Sequence, residues 1–123
     1  MRQAARKILV VDDHVDSLNA MARLLLLTGF EVRTATTYAG AIEQCKESPF
    51  DLLISDVGLP DGNGYDLMRE LLGRQCATRG IAVSGYGEDA DVEQSLAAGF
   101  SAHLIKPVQF DALREAIQRL IPA

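Results

Sequence analysis

A chain of 123 residues, 48% hydrophobic and 24% charged, is the size of one globular domain with its own core and is too short for two. A formal net charge of −5 argues against nucleic acid as a direct partner, because phosphate contacts need clustered Lys and Arg. No run approaches the roughly 18 apolar residues of a membrane span, and "MRQAARK" leads straight into a strand instead of a signal peptide, so the expectation is a cytoplasmic domain without direct membrane contact.

In chain order, residues 1–6 read as a flexible extension of a single domain spanning 1–123. Ile8–Val11 is a buried-strand run that ends on Asp12 and Asp13. A helical pattern over about His14 to Thr28 stops at Gly29, as a C′ glycine would make it. Val32–Ala35 is a second strand, ending in Thr36 and Thr37. Helix two, about Tyr38 to Glu47, ends before Pro49. The third strand, Leu52–Ile54, runs on to Asp56, and the loop behind it carries the turn dipeptides Asp61-Gly62 and Asn63-Gly64. Helix three, about Tyr65 to Leu72, is closed by Gly73. Ile81–Val83 ends in Ser84, and the helix of about Asp89 to Ala98 stops at Gly99. Ala102–Ile105 ends in Lys106. Phe110, Leu113, Ile117 and Leu120 then mark one face of a last helix, with Asp111 and Glu115 on the other side.

Five strands alternating with five helices predict an α/β fold: a parallel sheet covered on both faces, in three layers. Helix one carries more apolar residues than one stripe needs, at Val15, Leu18, Met21, Ala22 and Leu24 to Leu27, and most are expected in the core. Cys45 and Cys76 lie 31 residues apart with no CxxC or Cys/His cluster, which predicts two free thiols in a reducing cytosol.

In an open α/β sheet, ligands bind outside the carboxyl ends of the strands. Here those ends bring Asp12, Asp13, Asp56, Ser84 and Lys106 to one rim. Crowded carboxylates repel by about 4 kcal/mol per pair at 4 Å and an effective dielectric near 20. Either some hold protons or a cation sits among them. An oxygen-only set with few protein ligands suits Mg²⁺, which keeps waters and often shares its shell with a phosphate. Lys106 and Ser84 would face the same anion, and the combination suits phosphoryl transfer to a carboxylate. Taken singly the features have plainer readings: Asp13 as a cap of helix one, and Lys106 as an ordinary strand-end lysine.

The motifs "ILVVDD" (8–13), "SDVGLPDGNG" (55–64), "AVSGYG" (82–87) and "HLIKP" (103–107) together resemble a response-regulator receiver domain over essentially the whole chain. The resemblance implies a flavodoxin-like, doubly wound sheet with strand order 2-1-3-4-5. It implies that Asp56 accepts a phosphoryl group from a histidine kinase or histidine phosphotransfer domain. Asp13, Asp56 and the Gly58 backbone carbonyl would bind Mg²⁺ (or Mn²⁺ in its place), with Asp12 acting through water. Ser84 and Lys106 would bind the phosphoryl oxygens. The Lys106–Pro107 bond is often cis in such domains. Their chemistry is their own phosphorylation and slow hydrolysis, so the chain is not a conventional turnover enzyme. Partner helices dock beside the site, which here nominates His14, Val15, Leu18 and Pro107. The face of helix four, strand five and helix five is the implied output and weak-dimer surface, on a domain otherwise monomeric. "GFSAHLIKPV" with "SGYG" is similar to receivers of hybrid sensor histidine kinases, which would make the domain a module of a membrane-tethered kinase; a stand-alone regulator is the other form.

One position departs from the pattern. Three residues before Lys106, where stand-alone regulators usually carry an aromatic ring that swings inward with the hydroxyl residue, stands His103. It predicts weaker or pH-sensitive coupling from Ser84 to that output face. Gly58 and Tyr86 occupy positions that tune dephosphorylation. Rival readings are a degenerate receiver serving as an interaction module and a nucleotide-binding flavodoxin-like module built on "GYGEDA" (85–90). The second sits in the wrong βα turn, and Glu88 and Asp89 would repel a pyrophosphate.

Overall fold

A computed structural model describes residues 6–77, 79–85 and 92–122. Five parallel strands form one sheet: β1 (Lys7–Val11), β2 (Glu31–Ala35), β3 (Leu52–Asp56), β4 (Gly80–Ser84) and β5 (Ala102–Ile105). Their spatial order is β2-β1-β3-β4-β5, as the resemblance implies. Five helices connect them: α1 (Val15–Leu27), α2 (Tyr38–Glu47), α3 (Gly64–Gly73), α4 (Val92–Ala98) and α5 (Phe110–Leu120). No helix among the described residues is long and apolar enough to cross a membrane.

The continuous apolar strands are explained by burial on both faces. Ile8, Val10, Leu52, Ile54, Ile81 and Val83 point to one side, where Leu18 and Leu25 of α1 and Leu113 and Ile117 of α5 cover them. Leu9, Val11, Leu53 and Ala82 point to the other, against Ala41 of α2, Leu67, Met68 and Leu71 of α3, and Phe100. Register places Asp56 opposite Val83 and Ser84 opposite Ile105, so the strands end level with one another.

Local chemistry sets the helix ends. The Thr37 side chain accepts from the Gly40 amide and Asn63 from the Asp66 amide, each satisfying a first-turn donor. Gly29 (φ 106°) and Gly99 (φ 108°) take the left-handed conformation that follows a helix. Gly73 does not close α3 as expected. It lies inside the helix, Arg74 is the cap, and Gln75 takes the positive φ of 58°. Asp13 is not the cap of α1 either; His14 stands there, with no side-chain cap bond.

Two further expectations are corrected. Cys45 and Cys76 are joined as a disulfide and are not free thiols. The end of α2 and the turn after α3 bring their Cα atoms to 5.9 Å, inside the span a bridge allows. In α1, only Leu18, Ala22 and Leu25 are buried; Val15, Leu24, Leu26 and Leu27 stay exposed, so half of that apolar set lies outside the core. Tyr86, Glu88 and Asp89, the helix start expected at Asp89, and the extension from 1 to 5 lie outside the described residues.

Candidate functional site

β1 and β3 are adjacent, so the carboxylates that leave them meet. Asp12 and Asp56 are both largely buried, at 6% and 8% exposure, while Asp13 faces outward. Donor atoms of Asp12, Asp13, His14 and Asp56 all lie within 4.8 Å of one another. Lys106, arriving from the end of β5, places its Nζ 3.1 Å from Asp12 Oδ2 and 3.1 Å from Asp56 Oδ2. One ammonium thus bridges the two buried carboxylates. The Lys106 amide donates to the Ser84 carbonyl at 2.9 Å, tying that strand end to β4, and the Lys106–Pro107 bond is cis.

The electrostatics follow from the crowding. Burial pushes the Asp56 carboxyl up from its ordinary range. The hydrogen bond and charge of Lys106 pull the other way, and repulsion from Asp12 and Asp13 adds to the upward push. For Lys106, burial works against the charge, but its hydrogen bonds to Asp56 and Asp12 outweigh it and hold the ammonium above the usual lysine range. The Asp56 shift thus reports burial first and its carboxylate neighbours second, and the Lys106 shift reports its two carboxylate partners. All carboxylate donors are hard oxygens, a set that fits Mg²⁺.

The loop behind β3 is shaped by backbone. It makes a small hairpin in which Gly58–Leu59 pairs with Gly62–Asn63. The Gly64 amide donates to the Val57 carbonyl at 2.7 Å, and a Cβ on Gly64 would run into the Asp56 carbonyl oxygen. Only glycine lets α3 begin this close to Asp56. A Cβ on Gly58 would meet open space. The Asp61 carboxylate accepts from the Tyr38 and Ala39 amides, pinning the hairpin to the start of α2.

The positions singled out in the sequence now have places. Asp12, Asp13, Asp56 and Lys106 converge on one pocket, and Ser84 is fully buried at the neighbouring strand end. His14 is exposed beside the acidic cluster and Val15 is exposed at the start of α1, but Leu18 is 3% exposed in the core and cannot meet a partner. Leu18 packs with Leu25 against the sheet, whereas Val15 is the first residue of α1 and stays exposed. Exposed Pro107 instead borders a groove of about 480 Å³ between α1 and α5, lined by Met21, Leu24, Val108 and Phe110 and reaching Asp12 and Lys106.

His103 is neither swung out nor idle. Its Nε2 lies 2.9 Å from Ser84 Oγ and its Nδ1 2.6 Å from Ser95 Oγ. Ser95, Gly64 and the membership of His14 in the acidic cluster escaped the sequence reading. For His14 the signal was its place directly after the aspartate pair, and for Gly64 its place directly before a helix; for Ser95 there was none.

A family model described as "Response regulator receiver domain" matches residues 8–118. The transcriptional regulatory protein KdpE of Mycobacterium tuberculosis is 37% identical over 116 residues, covering 91% of this chain and 51% of that protein. The chain therefore spans about half the length of that relative. Among solved structures, the receiver domain protein (CheY-like) of Methanospirillum hungatei superposes with a TM-score of 0.85 at 31% identity, covering 94% of this chain and 93% of its own. The receiver domain protein of Clostridium thermocellum gives 0.86 at 30% identity, covering 94% of each chain.

Proposed function

The chain belongs to the response regulator receiver domains of two-component systems, and from that membership we propose that Asp56 is its phosphoryl acceptor. The observation that carries this reading is the Lys106 ammonium held at 3.1 Å from both Asp56 and Asp12, at the rim where the strands end. In the proposed step an Asp56 oxygen attacks the phosphorus of a phosphohistidine. The N–P bond breaks, its electron pair returns to the donor imidazole, and an O–P bond to Asp56 forms. Burial raises the energy of the Asp56 anion and so favours its attack, while the hydrogen bond and charge of Lys106 work towards the ionised form.

Asp12, Asp13, Asp56 and the Gly58 carbonyl are the residues we assign to Mg²⁺; the carboxylate crowding supports the assignment. When bound, the ion would neutralise charge that builds on the transferring group. Lys106 then turns from bridging two carboxylates to holding a phosphoryl oxygen, and the Ser84 hydroxyl donates to another. The exposed His14 and Val15 at the start of α1, and Pro107 at the α1–α5 groove, support docking of a helix from a histidine kinase or phosphotransfer domain on this side. Exposed Leu96 on α4 and Ile105 on β5 support the α4–β5–α5 side as an output or self-association face.

The test is intact-mass measurement after acetyl phosphate treatment, with Mg²⁺ and with EDTA, on the wild type and Asp56→Asn. A single Mg²⁺-dependent phosphoryl adduct, absent from the variant, is expected. An adduct that survives in Asp56→Asn removes Asp56 as the acceptor. Failure of both acetyl phosphate and beryllofluoride to engage the protein would leave an interaction module without phosphoryl chemistry.

A further inference from the structure

Ser84, His103 and Ser95 form a continuous hydrogen-bonded chain from the strand end beside Asp56 to helix α4. Ser84 and Ser95 are 2% and 1% exposed, so their hydroxyls have little access to water. A neutral imidazole has one donor nitrogen and one acceptor nitrogen. With the ring neutral, the chain can therefore run in only two directions. In one, the Ser84 hydroxyl donates to Nε2 and Nδ1–H donates to Ser95. In the other, Ser95 donates to Nδ1 and Nε2–H donates to Ser84.

These directions differ in what Ser84 has left to give. A serine hydroxyl carries one proton. In the first direction that proton is spent on the imidazole; in the second it is free for an oxygen elsewhere. The reading of Asp56 as acceptor requires Ser84 to donate to the phosphoryl group, which only the second direction permits. Before the group arrives, Nε2 stands within reach of the Ser84 proton.

We propose that His103 is a positioning residue whose tautomer reverses on phosphorylation, turning the Ser84–His103–Ser95 chain end for end and carrying the signal to Ser95 on α4. This rests on the acceptor reading of the Asp56 site. The reversal moves one proton from Nδ1 to Nε2 by exchange with solvent at the half-buried ring. The ring stays neutral and the proton count is unchanged. An aromatic hydrocarbon ring at this position would report the state of Ser84 by its shape; an imidazole reports it through which nitrogen is protonated.

The experiment is long-range ¹H–¹⁵N NMR of the two imidazoles in ¹⁵N-histidine-labelled full chain with Mg²⁺, at a pH about two units above the ordinary imidazole value near 6.5. The spectra are taken before and after addition of beryllofluoride, a phosphoryl mimic whose binding is followed separately by ¹⁹F signals. His103→Gln assigns the His103 ring by loss of its signals. The expected result is an Nδ1–H ring in the free protein and an Nε2–H ring with the mimic bound. In Ser95→Ala the mimic is expected to bind while the shifts it causes in α4 amides lose most of their size. A bound mimic with an unchanged His103 pattern overturns the relay and leaves the acceptor reading standing. A mimic that never binds overturns both.

Discussion

Lys106 stands between two carboxylates, and replacing either side of that arrangement has a predictable sign. Because the folded protein raises the Asp56 carboxyl above its unfolded value, its ionisation costs stability progressively as pH rises past the unfolded value and in full above the folded one. Below the ordinary carboxylate range the acid is neutral in both states and the penalty vanishes. Asp56→Asn should therefore raise the urea midpoint at pH 7, and the gain should shrink as pH falls to 4. A constant gain across that window would mean that the effect is packing and not charge. Lys106 has the opposite linkage. Its raised value makes its stabilisation complete below the ordinary lysine range and lost only as pH climbs through the folded value, so the full contribution is present at pH 7. Lys106→Ala leaves two buried carboxylates without their shared donor, at a cost of about 1–3 kcal/mol. Repeating it in the Asp56→Asn background should cost less, because one of the two orphaned charges is gone; urea unfolding of the four proteins reads the coupling directly.

At the scale of elements, the junction of β3 with α3 is the most demanding piece of the fold. Gly64→Ala pushes a methyl group against the Asp56 carbonyl, a backbone atom that cannot swing aside. It should cost about 1–3 kcal/mol in stability and slow adduct formation at Asp56 with it. A variant as stable and as reactive as the wild type would show that the loop yields. Much of this level was legible in the chain. The end of α2 was legible in Pro49 beyond it, while Thr37 as its cap is what the structure adds, and the strands announced themselves as unbroken apolar runs because both faces are covered. The N-terminus of α3 was placed one residue late, since the pattern of leucines marks where a helix packs and not where Asn63 begins it. In α1 the mere abundance of leucine misled: burial depends on angle around the axis, which puts Leu18 and Leu25 inward and Leu26 and Leu27 outward.

At the scale of the whole molecule, long-range pairing is what the sequence withheld. Nothing about Cys45 or Cys76 alone reveals that the end of α2 lies beside the turn after α3, so their bridge was invisible until the two elements were packed. A link closing 31 residues constrains the unfolded chain by about 3–4 kcal/mol in the chain-entropy picture. Dithiothreitol should lower the unfolding free energy by that order, and Cys45→Ser should abolish the response. The site was legible for a different reason. Parallel strands put all their carboxyl ends on one rim, so charged residues that follow apolar runs must gather there whatever the strand order. Ser95 obeys no such rule, because it reaches the site through His103.

The strand order also decides when the pocket becomes tolerable to build. β1 lies between β2 and β3, so the first half of a chain leaving the ribosome can already assemble the strands that bear Asp12 and Asp56. Lys106 comes much later, together with α5, whose Leu113 and Ile117 close the core on the α1 side. Until that segment emerges, the nascent sheet holds clustered negative charge without the Lys106 ammonium between its members, and one apolar face is covered by α1 alone. β5's end and α5 supply the counter-charge and the rest of the roof together, so a domain interrupted after α4 would carry both faults at once.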